Sequence, residues 1–355
     1  MEIHQLLPNF VPGDAIGNHA RALQRHLRSW GFRSEIHAQY VHPELAQQSR
    51  PLAELPTTPH CVVIYHYSTL STEAAQALAK CKGKKVILYH NITPAHFYAP
   101  YCPTTYRLLR AARASLGQFR KQVDLTLGVS AYNCAELAAA GYVHPRRLPL
   151  LLELDSFAVQ PPCPAIQERY GNGWTNFLFV GRLAPHKRQE DVIRAFAWYN
   201  RFINRRSRLL LVGTAGGLER YLYHLGEVVA SLEMEDHVVF VGHTSLAELS
   251  AYYRLAHVFV CMSEHEGFCV PLVEAMHHQV PILAYAAAGI PETLADAGVL
   301  AKDKDFPLIA EMAHLLTVDA DLRRRVLGRQ QARLADFAPE PIALQFRRYM
   351  EELIG

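Results

Sequence analysis

The sequence has few charged residues and lacks the patterns that mark several classes of protein. Charged residues make up 19% of its 355 residues, below the ~25% of an average soluble protein, whereas half are hydrophobic. This balance excludes a disordered chain, a collagen and a highly charged coiled coil. No internal repeat or low-complexity tract is present. At roughly 150 residues per domain, the length predicts two domains, each able to bury a core.

Cysteine usage excludes another group of functions. The seven cysteines are an odd number, and no two of them form a C-x-x-C pair. A disulfide framework, a zinc ribbon and a thioredoxin-like site are therefore excluded. The pattern is typical of a protein that works in a reducing cytoplasm.

Long apolar segments are also missing. No run of 18 uncharged apolar residues appears, and the N-terminus has neither the basic nor the apolar segment of a signal peptide. We therefore expect a cytoplasmic protein with no membrane span. Contact with the inner face of the plasma membrane is a further hypothesis.

The positive charge is concentrated in the first half. Residues 1–160 contain 16 Lys and Arg against 10 Asp and Glu, a net charge of +6, whereas residues 161–355 have a net charge of −3. Either this is ordinary scatter or the first half meets an anionic partner such as a phosphate surface or a lipid headgroup. Within it, residues 104–122 predict a helix with Arg107, Arg110 and Arg113 on one face. That helix either contacts an anionic membrane or is a solvated amphipathic helix.

Short apolar runs alternate with stretches of helical spacing along the whole chain. This rhythm predicts parallel sheets covered by helices, and therefore an α/β fold with two sheets. The predicted helices include residues 19–30, 188–202, 218–232 and 342–354. The predicted strands are residues 3–7, 34–40, 61–65, 85–89, 125–129 and 148–152 in the first half, and 177–180, 209–212, 238–241, 258–262 and 281–285 in the second.

A proline-rich segment without clear periodicity, residues 159–170, separates the two series of strands. We predict an N-terminal domain over residues 1–157 and a C-terminal domain over residues 158–336. Residues 337–355 form a last helix, expected to pack back on the N-terminal domain. Ligands bind at the carboxyl ends of parallel strands, so a site is expected in a cleft between two facing sheets.

Two segments that follow predicted strands carry chemistry. Arg182 and Lys187 follow the strand that ends at Val180, near the start of a helix, where cations and free backbone N–H groups favour an anion. The segment Ser263–Met276 places Glu266 before a helix and Glu274 about one turn inside it. Its N–H groups suit oxyanions, and its carboxylates suit sugar or ribose hydroxyls. Solvated cations and pairing with the helix dipole are the structural alternatives.

These segments resemble a known family. The E-x7-E spacing of Glu266 and Glu274, within E-G-F-x-x-P-L-x-E-A-M, resembles the signature of the retaining family-4 glycosyltransferases, which have the GT-B fold. The V-G-R-L-x-x-x-K run that ends at Lys187 is similar to the diphosphate-binding pair of that family. Gly289-Ile290-Pro291-Glu292 resembles its G-G-x-P-E element, with Ala288 where the first glycine usually stands. The resembling motifs span residues 177–300.

The resemblance implies two Rossmann-like domains, with residues 1–157 binding the acceptor and residues 158–336 binding the nucleotide sugar. It also implies the retaining transfer of a hexose from a nucleotide-diphosphate sugar to an acceptor hydroxyl. Arg182 and Lys187 would stabilise the departing diphosphate, and Glu274 would hold the ribose. The resembling motifs contain no D-x-D triad suited to Mg²⁺ or Mn²⁺, so we expect no metal and no cofactor. The resemblance also assigns sugar or base contacts to a further set of residues: Glu266, Gly267, Phe268, Cys269, Val270, Val241 and His243.

The first half resembles the family more loosely. Gly17 stands in Asp14-Ala15-Ile16-Gly17-Asn18-His19, which is similar to the glycine loop against the donor diphosphate. His90 follows a predicted strand and resembles the histidine that touches the donor sugar in many relatives. A structural, hydrogen-bonded histidine is the alternative, since the chain has nineteen.

Several questions about activity stay open at this point. Family frequency slightly favours GDP-mannose over a UDP-hexose as donor, with a glycan or lipid-linked acceptor in polysaccharide, lipopolysaccharide or glycolipid synthesis. A sugar-nucleotide epimerase of the same fold and a non-catalytic nucleotide-sugar-binding subunit are the alternatives. A nucleic-acid partner is excluded, because the second half is acidic overall.

Overall fold

The computed structural model describes residues 1–355, which form two compact units. The first unit consists of Met1–Ala95, Thr104–Glu153 and Phe337–Gly355, and the second of His96–Pro103 and Leu154–Asp336. The change between units thus falls at Glu153, four residues before the predicted boundary. The segment His96–Pro103 was predicted to belong to the N-terminal domain, but it is part of the second unit.

The first unit is built on a seven-stranded parallel sheet with the strand order β3-β2-β1-β4-β5-β6-β7. Its strands are β1 (Glu2–Phe10), β2 (Ile36–Val41), β3 (Arg50–Pro51), β4 (Cys61–Tyr67), β5 (Lys84–Tyr89), β6 (Leu125–Gly128) and β7 (Arg146–Arg147). The connecting helices are α1 (Ala15–Ser29), α2 (Thr72–Lys80), α3 (Pro103–Ala114) and α4 (Ala131–Ala139). Short 3-10 helices cover Pro43–Gln48, Leu52–Glu54, Ala95–Tyr98 and Leu116–Phe119.

Two predictions for this unit are wrong. The apolar run 148–152 is not a strand: β7 ends at Arg147, because Pro149 has no N–H to donate to a neighbouring strand. The predicted helix 104–122 ends at Ala114, and a 3-10 turn follows. Arg113 does not share an exposed face with Arg107, since its Nη2 donates to Glu136 at 2.6 Å. The basic face of α3 is therefore shorter than its sequence suggested.

The second unit contains a six-stranded parallel sheet with the strand order β10-β9-β8-β11-β12-β13. Its strands are β8 (Thr175–Val180), β9 (Ser207–Val212), β10 (Val238–Gly242), β11 (Val258–Cys261), β12 (Ile282–Tyr285) and β13 (Val299–Ala301). Its helices are α5 (Asp155–Ala158), α6 (Pro164–Tyr170), α7 (Gln189–Phe202), α8 (Glu219–Ser231), α9 (Leu246–Leu255), α10 (Val270–His277), α11 (Ile290–Leu294), α12 (Phe306–Val318) and α13 (Ala320–Leu334). Pro185–Lys187 and Ala335–Phe337 are 3-10 helices.

The last helix, α14 (Pro339–Ile354), belongs to the first unit. Its Tyr349 donates a hydrogen bond to the carbonyl of Arg147 at 3.1 Å, and the guanidinium of Arg146 lies 3.7 Å from the Tyr349 ring centroid. These contacts hold the end of the chain against β7. No helix of the protein is both long and apolar enough to cross a bilayer.

The order of strands in each sheet decides where a ligand can bind. In both sheets the winding reverses once, between β1 and β4 in the first unit and between β8 and β11 in the second. The connections diverge at such a point, which leaves a crevice at the carboxyl ends of the two strands. In the second unit, the segments that carry Lys187 and Glu266 leave β8 and β11, and so begin at this crevice.

Candidate active site

The turn after β8 depends on two glycines. The N–H of Gly181 donates to the carbonyl of Val212 at 2.9 Å, and both Gly181 and Gly213 have positive φ angles. A Cβ on Gly213 would lie 2.0 Å from the carbonyl oxygen of Gly181, so only glycine fits there. This close approach turns the chain sharply, after which the exposed Arg182 donates to the carbonyl of Gly216 at 2.8 Å.

Lys187 and Glu266 form an ion pair at the reversal point. Nζ of Lys187 lies 2.5 Å from Oε1 of Glu266, and the side chains are 15% and 11% exposed. Ser263 donates a second hydrogen bond to the same carboxylate oxygen at 3.0 Å. Burial opposes the charge on Lys187, but the nearby carboxylate outweighs it and holds the pKa of Lys187 above its usual range. The lysine is therefore a fixed cation at this edge of the sheet.

The loop before α10 leaves the start of that helix open. Cys269 has a left-handed conformation with φ of 68°, and no side chain caps the first turn. Such a turn presents backbone N–H groups and a positive dipole end to an anion. Two hydrogen bonds to its carbonyl groups hold the loop in place. Thr293 donates to the carbonyl of Phe268 at 2.6 Å, and the N–H of Gly289 donates to the carbonyl of Glu266 at 2.9 Å.

The residue before Gly289 explains one departure from the family motif. Ala288 has a φ of 50°, a conformation that favours glycine. It stands at the position of the first glycine in the G-G-x-P-E element that the sequence resembles. A Cβ on Gly289 itself would lie 2.5 Å from the carbonyl oxygen of Gly267. The second glycine is thus required by packing, whereas the first is replaced by alanine at the cost of backbone strain.

Glu274 lies one turn inside α10 and is paired with a tyrosine. The hydroxyl of Tyr253 donates to Oε2 of Glu274 at 2.8 Å. Burial raises the pKa of Glu274 to about 7, and the hydrogen bond from Tyr253 acts in the opposite direction. Near neutral pH the unliganded carboxyl group therefore exchanges a proton readily. Either form can bond ligand hydroxyls, but only the ionised form accepts with both oxygens.

A network of charges that the sequence analysis missed supports this loop. Lys304 donates to Asp191 at 2.7 Å and to Glu264 at 2.6 Å, and Arg188 pairs with the same two carboxylates at 3.1 and 3.3 Å. Burial would raise the pKa of Asp191, but the hydrogen bond and charge of Lys304, with those of Arg188, hold it below its usual value. No local pattern signals this network, because Lys304 is 40 residues from Glu264.

The aromatic side chain of Tyr98 is a second feature that the sequence did not reveal. Its hydroxyl lies 3.2 Å from Nδ1 of His186, the residue before Lys187. Burial, followed by the charge of Lys187 and then other neighbours, holds the pKa of His186 well below its usual value. Tyr98 therefore anchors the short helix that presents the lysine.

Two residues predicted to contact the donor base lie farther along the sheet. Val241 is half-buried in β10, and His243 is exposed just beyond that strand. β10 is the edge strand of the sheet, two positions from β8. Their position at a carboxyl end is compatible with a ligand that extends along this edge, and their contact with the base stays a prediction. No group of three or more His, Cys, Asp and Glu side chains lies close enough together to hold a metal ion.

In the first unit, His90 ends a chain of hydrogen bonds that determines its protonation. Nε2 of His90 lies 2.9 Å from Nδ1 of His66, and Nε2 of His66 lies 2.8 Å from Oε1 of Gln5. The amide group of Gln5 donates to the carbonyl of Ala20 at 2.7 Å, which orients its oxygen toward His66. Burial keeps both rings neutral by lowering their pKa values well below the usual range.

The position of the proton on each imidazole ring follows from this series of hydrogen bonds. The oxygen of Gln5 only accepts, so His66 donates from Nε2 and accepts at Nδ1. His90 must therefore donate from Nε2, which leaves its Nδ1 as an acceptor for a ligand hydroxyl. The backbone at Asn91 has a φ of 85°, and the turn it makes follows His90 directly. His90 is thus held in one neutral tautomer, and its lowered pKa makes it a weak base, in keeping with a role in positioning rather than as a general base.

Gly17 lies in the first turn of α1, where its amide is already in use. Its N–H donates to the side chain of Asp14 at 3.1 Å, which caps the helix. A Cβ on Gly17 would lie 3.2 Å from the ring of Phe10, so packing alone favours glycine there. The structure thus gives Gly17 a reason that does not involve a ligand, and its donor contact stays a prediction.

Comparison with known proteins finds a family model that matches the second half of the chain and solved structures with the same fold. Residues 171–330 match the model described as glycosyl transferases group 1, a stretch that includes every predicted site residue from Arg182 to Glu274. The solved structure of Anabaena Alr3699/HepE in complex with UDP-glucose has the same fold, with a TM-score of 0.79, 19% sequence identity and coverage of 99% of this chain and 100% of that one. WaaG, a glycosyltransferase involved in lipopolysaccharide biosynthesis, gives a TM-score of 0.70 at 16% identity, with 96% and 98% of the two chains covered.

Curated relatives match over shorter stretches. O-antigen chain mannosyltransferase B of Escherichia coli is 28% identical over 155 residues, 43% of this chain and 39% of that protein. The GDP-mannose-dependent alpha-(1-6)-phosphatidylinositol monomannoside mannosyltransferase of Mycolicibacterium smegmatis is 31% identical over 202 residues, 54% of this chain and 52% of that protein. The chain therefore spans about half the length of the curated relatives it matches. Residues 171–330 are thus similar to the glycosyl transferases group 1, and the two parallel-sheet units have the GT-B fold.

Proposed function

We propose that the protein transfers a hexose from a nucleotide-diphosphate sugar to an acceptor hydroxyl, with retention of configuration. The observation that carries this proposal is the pair of Lys187 and Glu266 at the reversal point of the second sheet, within the family-matched segment. An ammonium group, an open helix start and a carboxylate together suit a ligand with phosphates and hydroxyls.

The residues have distinct roles in this proposal. Arg182 and Lys187 stabilise the negative charge that grows on the departing diphosphate, so that the reaction proceeds without a metal ion. Glu266 and the backbone from Gly267 to Val270 hold the sugar hydroxyls, and Glu274 holds the ribose. Lys187 exchanges part of its contact with Glu266 for the phosphates when the donor binds. His90 accepts a hydrogen bond from a sugar or acceptor hydroxyl at Nδ1.

The donor is GDP-mannose in this proposal, with a UDP-hexose as the second candidate. The mannosyltransferases of Escherichia coli and Mycolicibacterium smegmatis support the first, and the UDP-glucose complex of Alr3699/HepE supports the second. The acceptor is a glycan or a lipid-linked sugar in polysaccharide, lipopolysaccharide or glycolipid synthesis, reached at the cytoplasmic membrane surface.

A thermal-shift screen against GDP, UDP, ADP and dTDP sugars tests the donor. At equal ligand concentrations the donor with the lowest Kd stabilises the folded protein most, by about 2.7 kcal/mol at 100 times its Kd, so GDP-mannose should give the largest shift. A largest shift with a UDP-hexose would select the second candidate, and no shift with any of them would contradict the proposal. Product mass from the best donor then distinguishes transfer from epimerisation, and activity should survive EDTA.

Substitution of Lys187 tests the mechanism. Lys187→Ala should lower kcat/KM by about 10²–10³, the scale for loss of one charge-stabilising donor. Lys302→Ala is the matched control, because Lys302 is an exposed lysine of the same unit. Normal turnover by the Lys187→Ala variant would refute the assignment of the diphosphate site.

A further inference from the structure

A second cationic site lies on the first unit. Arg21, Arg25 and Arg28 stand at positions i, i+4 and i+7 of α1 and so lie along one helix face. Together with Arg50 at the start of β3 they line a cavity of about 380 Å³, whose wall also includes Glu35 and Gln48. None of these residues takes part in the site of the second unit, and the proposal below does not depend on the proposed glycosyl transfer.

The charges in this cavity are only partly compensated. Arg25 pairs with Glu153, and Arg28 pairs with Glu35 at 3.0 Å. Arg21 donates only to neutral oxygens, those of Gln48 at 3.4 Å and Asn18 at 3.0 Å. Its Nε is buried without a hydrogen-bond partner.

Like charges are therefore held close together. Arg50 is exposed, and its side chain has neither an ion pair nor a hydrogen bond. The pKa of Arg25 is lowered, first by burial and then by the charge of Arg21. Four guanidinium groups thus meet two carboxylates at this cavity, and an added anion would offset the excess positive charge.

We propose that this cavity binds a phosphate group, either on a small soluble molecule or on a lipid headgroup. Guanidinium groups grip phosphate oxygens through two parallel hydrogen bonds, which is the chemistry that Arg21 and Arg50 offer. A volume of about 380 Å³ lies within the range of small-ligand sites and admits a phosphate together with a polar group attached to it. The amide of Gln48 provides donors and an acceptor for hydroxyls on that group. Part of the excess positive charge of residues 1–160 thus lies at a defined place.

Calorimetry with the full-length protein tests this site. One arm titrates glycerol 1-phosphate in solution, and the other titrates phosphatidylcholine vesicles with and without phosphatidylglycerol. Binding in either arm should weaken at least about tenfold in the double variant Arg21→Gln/Arg50→Gln, because charge-assisted hydrogen bonds are lost. Arg205→Gln/Arg206→Gln removes two exposed arginines elsewhere and should bind as the wild type does. Binding in the first arm indicates a soluble phosphate, and binding in the second alone indicates a headgroup.

Two results would overturn the inference. One is no binding by the wild type in either arm. The other is unchanged binding by the double variant, with loss on Lys187→Ala instead, which would place the phosphate in the second unit. Because the Arg50 side chain makes no contact that the fold requires, Arg50→Gln alone should fold normally and still weaken binding, so misfolding cannot account for the expected result.

Discussion

The carboxyl group of Glu274 makes the stability of the unliganded protein depend on pH. Burial raises its pKa to about 7, from 4.5 for the unperturbed group. Between these pH values the folded protein holds a proton that the unfolded chain has released, so stability falls as the pH rises from about 4.5 through about 7. The difference between the pKa values of Glu274 in the folded and the unfolded protein corresponds to about 3 kcal/mol in the free energy of unfolding.

The variant Glu274→Gln removes this titration while it keeps the shape of the side chain. Above pH 8 the variant should therefore be more stable than the wild type by about 3 kcal/mol, and near pH 5 the difference should largely vanish. Urea unfolding followed by circular dichroism from pH 5 to 8.5 measures it. Glu235→Gln, which changes an exposed glutamate of the same unit, should give a difference that does not vary with pH.

Replacement of the tyrosine partner gives an independent check. The hydrogen bond from Tyr253 lowers the pKa of Glu274, so Tyr253→Phe should raise that pKa and move the pH transition upward. A stability difference between wild type and Glu274→Gln that is flat from pH 5 to 8.5 would refute the reasoning. The same Glu274→Gln variant should bind nucleotide sugar more weakly, because it replaces one carboxylate oxygen that accepts from the ribose hydroxyls by an amide NH₂ group that only donates. Higher stability would thus come with weaker binding.

Three other substitutions follow from the contacts described above. Lys187→Met should destabilise the protein by about 3 kcal/mol in urea unfolding, because it leaves Glu266 buried and unpaired. The double variant Lys187→Met/Glu266→Gln should recover most of this loss. A double variant no more stable than the single one would contradict this. His66→Phe should change the tautomer of His90, visible in imidazole ¹⁵N shifts, whereas His66→Asn should retain an acceptor for it; unchanged shifts in both would refute the hydrogen-bond chain. Ala288→Gly should raise stability by about 1 kcal/mol in thermal unfolding, since glycine relieves the strain at positive φ, and a lower Tm would show that no strain is present.

Periodicity was sufficient to predict the architecture. Short apolar runs that alternate with amphipathic stretches have few solutions other than helix-covered parallel sheets, and ten of the eleven predicted strands are present. The exception, residues 148–152, is apolar and buried but contains Pro149, and composition alone does not distinguish such a segment from a strand. The family resemblance placed Glu266 and Lys187 in one donor site, and the structure brings them into contact, because the segments that follow neighbouring parallel strands meet at one edge of the sheet.

Other features of the site depend on residues far apart in sequence. The pair of Lys187 and Glu266 joins residues 79 positions apart, and the tautomer of His90 depends on Gln5 through His66. Arg113 is another example. Helical spacing predicted that it shares an exposed face with Arg107, whereas its side chain pairs with Glu136, 23 residues further along the chain.

The sequence by itself determined the fold class, the order of its elements and the family motifs, because these follow from local periodicity and spacing. Only the tertiary structure decided that His96–Pro103 belongs to the second unit and that Arg21 and Arg50 share a cavity. It also decided that the carboxyl group of Glu274 loses enough water to titrate near neutrality. Burial and the distance between charges set such properties, and both are created only when distant segments of the chain pack together.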